Sequence, residues 1–209
     1  MIKGIVFDCD GVLTDSEVFY LSQAQQFIRD KGADTTIEDI MYFVGRSSLD
    51  IGKALKKQFG FKESAEQLAA EKREYHRAHM NFDEFKPMEG ALEFISKWKN
   101  TGIKMSVASS SSNEYLKNVL SRFGIYDDFA FVLSGNAFEH SKPDPEIYNI
   151  AAEKMGIAKA ELLVIEDSVN GIKAAKAAGI YTIGLKKSIV KQDTSEADCE
   201  VFSFDEINV

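Results

Sequence analysis

The chain has 209 residues, of which 44% are hydrophobic and 28% charged, so it can bury the core of a globular protein with one or two domains. A formal charge of −8 leaves no basic surface for nucleic acid or anionic lipid, and neither is an expected partner. Two cysteines are too few for a disulfide framework, and no apolar run approaches the roughly 18 residues of a membrane span, so the expected location is cytoplasmic.

The predicted elements begin with a strand at residues 2–7, where the run IKGIVF stops at an acidic loop. Similar apolar runs predict further strands, and patterns of helical period that end at glycines predict helices between them. The predicted strands are residues 103–108, 131–133, 162–165 and 181–185, and the predicted helices are residues 90–100, 113–123, 145–155 and 168–178. This alternation predicts an α/β fold, with a parallel sheet covered by helices on both faces.

Residues 16–81 interrupt the alternation of strands and helices. They contain helical patterns at residues 18–31, 37–43, 49–59 and 65–79, and no run that is typical of a strand. The segment 81–88 is expected to lead the chain back to the sheet. We therefore predict an α-helical cap domain at residues 16–81, inserted into a core domain that comprises residues 1–15 and 82–209.

Two acids follow the first predicted strand, in the sequence Asp8-Cys9-Asp10-Gly11. Ligands of open α/β sheets bind at the carboxyl ends of the strands, and alternate residues of an extended segment point the same way. Asp8 and Asp10 can therefore face one pocket, where their mutual repulsion requires a cation such as Mg²⁺, which prefers oxygen ligands. Taken alone, these residues are equally typical of a polar turn.

A second predicted strand also ends in acids, because residues 162–165 run directly into Glu166 and Asp167. If this strand and the first are neighbours in a parallel sheet, Asp167 lies close to Asp8 and completes a carboxylate metal site. The agreement between two acidic strand ends favours a metal site over two unrelated turns.

Residues 109–113, which read Ser-Ser-Ser-Ser-Asn, follow the predicted strand at residues 103–108. Their hydroxyl and backbone N–H groups could bind a phosphate at the start of a helix, although this segment alone is more typical of a helix cap. Lys142 lies in a loop before a helix that starts near Pro145. A cation there would offset the negative charge of a phosphate and of the carboxylates.

Taken in order, these motifs resemble those of the haloacid dehalogenase superfamily: DCDGVLTDS from residue 8, a Ser after the second strand, Lys-Pro before a helix, and Glu-Asp after the fourth strand. Within it, the chain is most similar to the branch of β-phosphoglucomutase and sugar-phosphate phosphatases, over essentially its whole length. The resemblance implies a Rossmann-like core in which Asp8 is the nucleophile and Asp10 the general acid and base. It also implies that Ser109 and Lys142 hold the phosphoryl group.

The resemblance further implies a Mg²⁺ cofactor and a set of substrate contacts. The metal ligands would be Asp8, the main-chain carbonyl of Asp10, and Asp167, with Glu166 in or beside the same shell. A loop of the cap contacts the substrate in similar proteins. The residues expected to bind substrate are Gly45, Arg46 and Ser47 in that loop, and Ser110 and Asn113 in the core.

The predicted protein is a Mg²⁺-dependent phosphatase, a monomer or weak homodimer, that hydrolyses a small phosphorylated metabolite through an aspartyl-phosphate. A sugar phosphate is the expected substrate. A phosphomutase is the first alternative, but mutases of this branch carry a His where this chain has Tyr20, and their Arg follows the cap's Gly-x-Ser whereas Arg46 directly follows Gly45. A catalytically silent regulatory domain is the second alternative, and the joint presence of two acidic strand ends and Lys142 argues against it.

Overall fold

The structure is a computed structural model of the chain and describes residues 1–44, 46–186 and 192–209. It divides into two compact units, one formed by Met1–Asp15 with Phe85–Val209 and the other by Ser16–Glu84. Within the described ranges, no helix combines the length and the apolar character needed to cross a membrane.

The first unit is built on a six-stranded sheet in which all neighbouring strands are parallel. The strands are β1 (Gly4–Phe7), β2 (Lys104–Ser109), β3 (Val132–Ser134), β4 (Leu162–Glu166), β5 (Tyr181–Leu185) and β6 (Cys199–Val201). Their order, β3-β2-β1-β4-β5-β6, places β1 between β2 and β4, and Phe7 pairs with both Val107 and Ile165. The order reverses beside β1, which is where open α/β sheets bind their ligands.

Helices connect the strands of the first unit and make up the second. The α-helices are α1 (Ser16–Asp30), α2 (Ser48–Phe59) and α3 (Ala65–Ala78) in the second unit, and α4 (Ala91–Trp98), α5 (Asn113–Arg122), α6 (Glu146–Met155) and α7 (Val169–Ala177) in the first. Short 3₁₀ helices lie at Glu38–Phe43, Phe82–Glu84, Tyr126–Asp128, Gly135–Ala137, Lys159–Glu161 and Phe204–Glu206. The predicted α/β fold with a parallel sheet is therefore confirmed.

The core of the first unit covers both faces of the sheet, as the continuous apolar runs of its strands predict. On one face, the ring of Phe7 lies edge-on to those of Phe94 and Phe129, with centroids 6.1 and 5.8 Å apart. On the other face, Val6 belongs to a buried cluster with Tyr148 and other side chains of α6 and α7. Packing on both faces fixes the direction of β1 and therefore the position of the acidic loop that follows it.

The second unit has a core of its own, formed by apolar side chains of α1, α2 and α3 and of the 3₁₀ helix Glu38–Phe43. Its buried members include Leu21, Phe27, Ile40, Leu55 and Leu68. The N-terminus of α3 is fixed by Ser64, whose hydroxyl accepts from the Gln67 N–H while the Gln67 side chain accepts from the Ser64 N–H.

Two elements differ from the sequence-based prediction. The helical pattern at residues 37–43 predicts a helix of its own, and Glu38–Phe43 forms not an α-helix but a 3₁₀ helix, in which the buried residues are Ile40 and Phe43. That spacing of three residues matches the three residues per turn of a 3₁₀ helix. Strand β6 was not predicted at all, because it is a three-residue edge strand with only Val201 buried.

Candidate active site

The loop after β1 is a tight turn that places Asp8 beside β4. The Asp8 N–H donates to the carbonyl of Ile165 at 3.0 Å, which extends the pairing of β1 with β4 by one residue. Within the loop, Gly11 has a φ of +79°, and a Cβ atom there would overlap Oδ2 of Asp167. Glycine is therefore required at this position, both by the backbone conformation and by the close approach of the Asp167 carboxylate.

Three carboxylates meet at the ends of β1 and β4. Asp8, Glu166 and Asp167 are buried, and each offers an oxygen within 4.8 Å of those of the other two. The two acidic strands are neighbours in a parallel sheet, which is the condition on which the expected metal site depended. Three buried carboxylates this close repel one another unless cations neutralise them, and the all-oxygen donor set is the kind that hard divalent cations prefer.

Lys142 supplies one positive charge to this cluster. Its ammonium group donates to Asp8 Oδ1 at 2.6 Å, to Glu166 Oε1 at 2.7 Å and to the carbonyl of Ala108 at 3.0 Å. Its side chain is only 6% exposed. Burial alone would lower the pKa of Lys142, but the carboxylates of Asp8 and Glu166 raise it well above its usual value. The lysine therefore remains a cation.

The environment of Asp8 acts on its pKa in both directions. Burial raises the pKa of Asp8 to about 7, and the negative charge of Glu166 acts in the same direction, while Lys142 opposes both. A cation bound by these carboxylates would add to the effect of Lys142 and favour the ionised form. The Cys9 thiol, between the two acids in sequence, has its pKa raised well above its usual value by burial, so it stays protonated.

The Glu166 carboxylate accepts five hydrogen bonds from the protein. Oε1 accepts from Lys142 at 2.7 Å and from the hydroxyl of Tyr148 at 2.7 Å. Oε2 accepts from the backbone N–H groups of the next two residues, each at 3.2 Å, and from the Ser168 hydroxyl at 3.0 Å. The carboxylate also lies against Gly171, where a Cβ atom would overlap it. The protein thus holds Glu166 rigidly against both Lys142 and the start of α7.

Asp10 lies two residues after Asp8 in the same loop and is half-buried. Both of its carboxylate oxygens accept hydrogen bonds from side chains. The hydroxyl of Ser111 donates to Oδ2 and the hydroxyl of Tyr115 donates to Oδ1, both at 2.6 Å. Ser109 is buried at the end of β2, and its hydroxyl accepts from the Ser111 N–H at 3.1 Å. The segment after β2 is therefore linked directly to the loop after β1.

Residues 5–185 of the chain match the family of haloacid dehalogenase-like hydrolases. The chain belongs to this family. The predicted superfamily, and a hydrolase enzyme of the phosphatase type, are therefore confirmed.

Several known proteins are similar to the chain over most of its length. A phosphorylated carbohydrates phosphatase of Thermotoga maritima is 31% identical over 187 residues, which are 87% of this chain and 84% of the relative. A β-phosphoglucomutase of Bacillus subtilis (strain 168) is 26% identical over 96% of this chain and 93% of the relative. The structure of a haloacid dehalogenase family hydrolase of Deinococcus radiodurans R1, with bound phosphate and sodium, has a TM-score of 0.82 at 24% identity and covers 98% of this chain and 93% of that one.

The other residues predicted for substrate binding in this haloacid dehalogenase-like hydrolase are spread over both units. Ser110, which directly follows β2, and Asn113, the first residue of α5, are both exposed. In the second unit, the Arg46 guanidinium lies 5.0 Å from the centroid of the Tyr42 ring. The Ser47 hydroxyl accepts from the backbone N–H of the third residue of α2 and so caps that helix. Gly45 lies outside the described residues.

Two tyrosines of the site were not predicted from the sequence, Tyr115 on α5 and Tyr148 on α6. Each donates a short hydrogen bond to a predicted site acid, at 2.6 Å to Asp10 and at 2.7 Å to Glu166. Tyr148 is fully buried and also lies beneath Lys142, whose Nζ is 5.0 Å from its ring centroid. The sequence carries one usable indication, because both tyrosines lie in the first turn of a helix that follows a predicted site segment.

Proposed function

We propose that this haloacid dehalogenase-like hydrolase is a Mg²⁺-dependent phosphatase that hydrolyses a small phosphorylated metabolite, a sugar phosphate, through an aspartyl-phosphate on Asp8. The observation that carries the proposal is the Asp8 carboxylate, which lies at the end of β1 within 2.6 Å of Lys142 and inside a group of three acids. The relative that is a phosphorylated carbohydrates phosphatase supports the substrate class. We assign the catalytic residues to a core of residues 1–15 and 82–209, and a substrate-selecting role to a cap of residues 16–81.

The residues of the acidic cluster fit Mg²⁺, because they offer several oxygen ligands within reach of one another. We propose that Asp8, Asp167 and the main-chain carbonyl of Asp10 hold it. When bound, Mg²⁺ would polarise the phosphoryl oxygens and reduce their repulsion with the attacking carboxylate. Glu166 already accepts five hydrogen bonds, so we place it beside the metal ligands as a positioning residue for Lys142.

The first half of the reaction forms a bond between Asp8 and phosphorus. Lys142 binds Oδ1 of Asp8, which leaves Oδ2 to attack phosphorus in line. The bond from phosphorus to the leaving oxygen breaks, and Asp10 donates a proton to that oxygen. We assign the holding of the phosphoryl oxygens to Lys142 and Ser109; in support, Lys142 donates to the carbonyl of Ala108, the residue just before Ser109, so the two lie near one another.

The second half releases phosphate. Asp10, now a carboxylate, accepts a proton from water as the water oxygen attacks phosphorus. The bond between phosphorus and Asp8 breaks, and the Asp8 carboxylate and inorganic phosphate are formed. Binding of the rest of the substrate is assigned to residues outside this group: Ser110, Asn113, Gly45, Arg46 and Ser47.

The proposal is tested by assaying phosphate release from a panel of sugar phosphates with Mg²⁺. Asp8→Asn removes the nucleophile, so we expect its kcat to fall by more than about 10³-fold, with the fold retained by circular dichroism. Asp127→Asn, an exposed acid in the same unit, is the matched control and should keep full activity. A well-folded Asp8→Asn protein that retains more than a few per cent of the wild-type rate would exclude Asp8 as the nucleophile.

A phosphomutase is the second candidate, since one relative of similar length is a β-phosphoglucomutase. The protein is incubated with β-glucose 1-phosphate and a trace of the corresponding bisphosphate, and both products are measured. We expect inorganic phosphate, because Tyr20 cannot supply the cationic contact near neutral pH that a His can. Glucose 6-phosphate formed without release of phosphate would instead establish the mutase.

A further inference from the structure

The carboxylate of Asp10 is held at both of its oxygens by side-chain hydroxyls of one segment. Ser111 donates to Oδ2 and Tyr115 donates to Oδ1, each at 2.6 Å. Both distances are at the short end of the range for O–H···O hydrogen bonds. Two donors on opposite oxygens restrict rotation of the carboxylate about its last bond, which one donor alone would not do.

Both donors are themselves fixed by the fold. Tyr115 is 8% exposed, its ring lies edge-on to Phe85 with centroids 5.7 Å apart, and its N–H donates to the Ser112 hydroxyl, the N-cap of α5. Ser111 donates its N–H to Ser109 at 3.1 Å and accepts from the Ser134 hydroxyl at 2.7 Å through its carbonyl. The ring of Tyr115 and the backbone of Ser111 are therefore held in place independently of Asp10.

Burial alone does not explain these hydrogen bonds. Asp10 is only half-buried, so water could satisfy its oxygens if Tyr115 were a phenylalanine. What the hydroxyls add is a single orientation of the carboxylate, and orientation is what a general base needs in order to accept a proton from one particular water.

We propose that Tyr115 is a positioning residue, which together with Ser111 holds Asp10 as the base that activates water. The inference rests on the proposed function, in which Asp10 is the acid and base. It concerns the second half-reaction: the water oxygen bonds to phosphorus, one water proton passes to Asp10, and the bond from phosphorus to Asp8 breaks.

p-Nitrophenyl phosphate separates the two half-reactions. Its leaving group departs without protonation, so formation of the aspartyl-phosphate needs no acid, whereas its hydrolysis still needs the base. For Tyr115→Phe we expect a burst of about one equivalent of p-nitrophenolate, then a steady rate about tenfold slower than that of the wild type. Since kcat/KM reports the first irreversible step, it should change less than about twofold while kcat falls.

Three further variants make the test specific. Ser111→Ala removes the other donor to Asp10, so kcat should again fall while kcat/KM stays nearly unchanged. This variant also tests the inference if Tyr115→Phe does not fold. In an Asp10→Ala background, Tyr115→Phe should have no further effect, because the residue acts only through Asp10. Tyr181→Phe removes a hydroxyl from a 49% exposed tyrosine at the opposite end of the sheet and should match the wild type.

The outcomes distinguish this inference from the proposed function. Equal losses in kcat and kcat/KM, no loss at all, or an undiminished loss in the Asp10→Ala background would overturn the role of Tyr115. In each of those cases the phosphatase proposal would still hold, provided that turnover depends on Asp8. A wild-type protein without Asp8-dependent turnover would overturn the phosphatase proposal, and the inference with it.

Discussion

Each of the two units contains a lysine that is at least partly buried, and the pKa values of the two lysines are shifted in opposite directions. In the first unit, two carboxylates raise the pKa of Lys142 well above its usual value, although burial opposes them. In the second unit, burial lowers the pKa of Lys72 to about 8. Lys72 lies on α3 at a pocket of about 200 Å³, which is lined mainly by apolar and aromatic side chains such as Tyr20, Phe43 and Ile51.

The difference follows from the secondary structure of each unit. Parallel strands end side by side, so acids placed at the ends of β1 and β4 converge, and a lysine at that edge meets two charges at once. Helices bury apolar faces against one another, and although Glu17 also lines the pocket at Lys72, burial is what lowers the pKa of this lysine. Burial therefore favours the neutral amine in the second unit, while charge pairing favours the cation in the first.

The largest expected effect comes from removing the paired lysine. Lys142→Met leaves Asp8 and Glu166 facing each other without their cation, and removal of one partner of a buried ion pair costs about 3–5 kcal/mol. We expect the free energy of unfolding, measured in urea with EDTA, to fall by that amount. We also expect kcat to fall by more than about 10²-fold, because the phosphoryl group loses its cation.

Lys117→Met, an exposed lysine on α5, is the matched control and should change neither quantity. If Lys142→Met kept the wild-type stability, the ion pairs of Lys142 would not be what holds this edge of the sheet together.

A second experiment distinguishes the acid that positions Lys142 from the acid that binds the metal. Asp167→Asn removes a proposed ligand, so its dissociation constant for Mg²⁺, measured by calorimetry, should rise more than about tenfold. Glu166→Gln should raise this dissociation constant less than about threefold, while kcat falls because the side chain 2.7 Å from Lys142 loses its negative charge. The reverse order of the two dissociation constants would make Glu166 the main ligand.

A smaller effect, of opposite sign, is expected for the lysine of the second unit. Lys72→Met removes an ammonium group whose burial is costly, so the free energy of unfolding at pH 7 should rise by about 1–2 kcal/mol. This range is below the value that the full pKa shift would give, because the side chain keeps part of its solvent contact. Lys57→Met on the exposed surface of α2 is the control and should have little effect. A fall in stability on Lys72→Met would mean that the ammonium group has a stabilising partner.

The parts of the site that could be predicted are those fixed by position along the chain. Asp8 and Asp167 follow short apolar runs, and parallel pairing of those runs brings the two together without further information. The contacts of Tyr115 and Tyr148 could not be predicted, because a tyrosine in a helix has the same sequence pattern whether its hydroxyl donates to an acid or to water. Their contacts depend on how α5 and α6 are rotated against the sheet, which is decided by packing.

Dependence on packing also explains the errors in the predicted fold. Strand β6 contributes one buried side chain, Val201, so its sequence has no apolar run to recognise. Pairing with β5, and not periodicity, makes it a strand. For Ser47 the pattern permits two roles, since the serine that we expect at the substrate also caps α2, and its contact with substrate stays a prediction.

The smallest expected effect is a pH dependence of stability that belongs to Lys72. In the unfolded chain this lysine keeps its proton up to its ordinary pKa of 10.5, whereas in the folded chain it loses the proton near pH 8. Between these values the unfolded state binds more protons, so the free energy of unfolding rises with pH, by at most about 1.4 kcal/mol per pH unit. The excess stability of Lys72→Met over the wild type should therefore be greatest below pH 8 and vanish towards pH 10.5.

Urea unfolding of both proteins at pH 7, 8, 9 and 10 measures this difference in the free energy of unfolding, in which the titration of all other groups cancels. A difference that stays constant across the series would show that Lys72 is not the group that burial forces to titrate, and the contrast with Lys142 would then be lost.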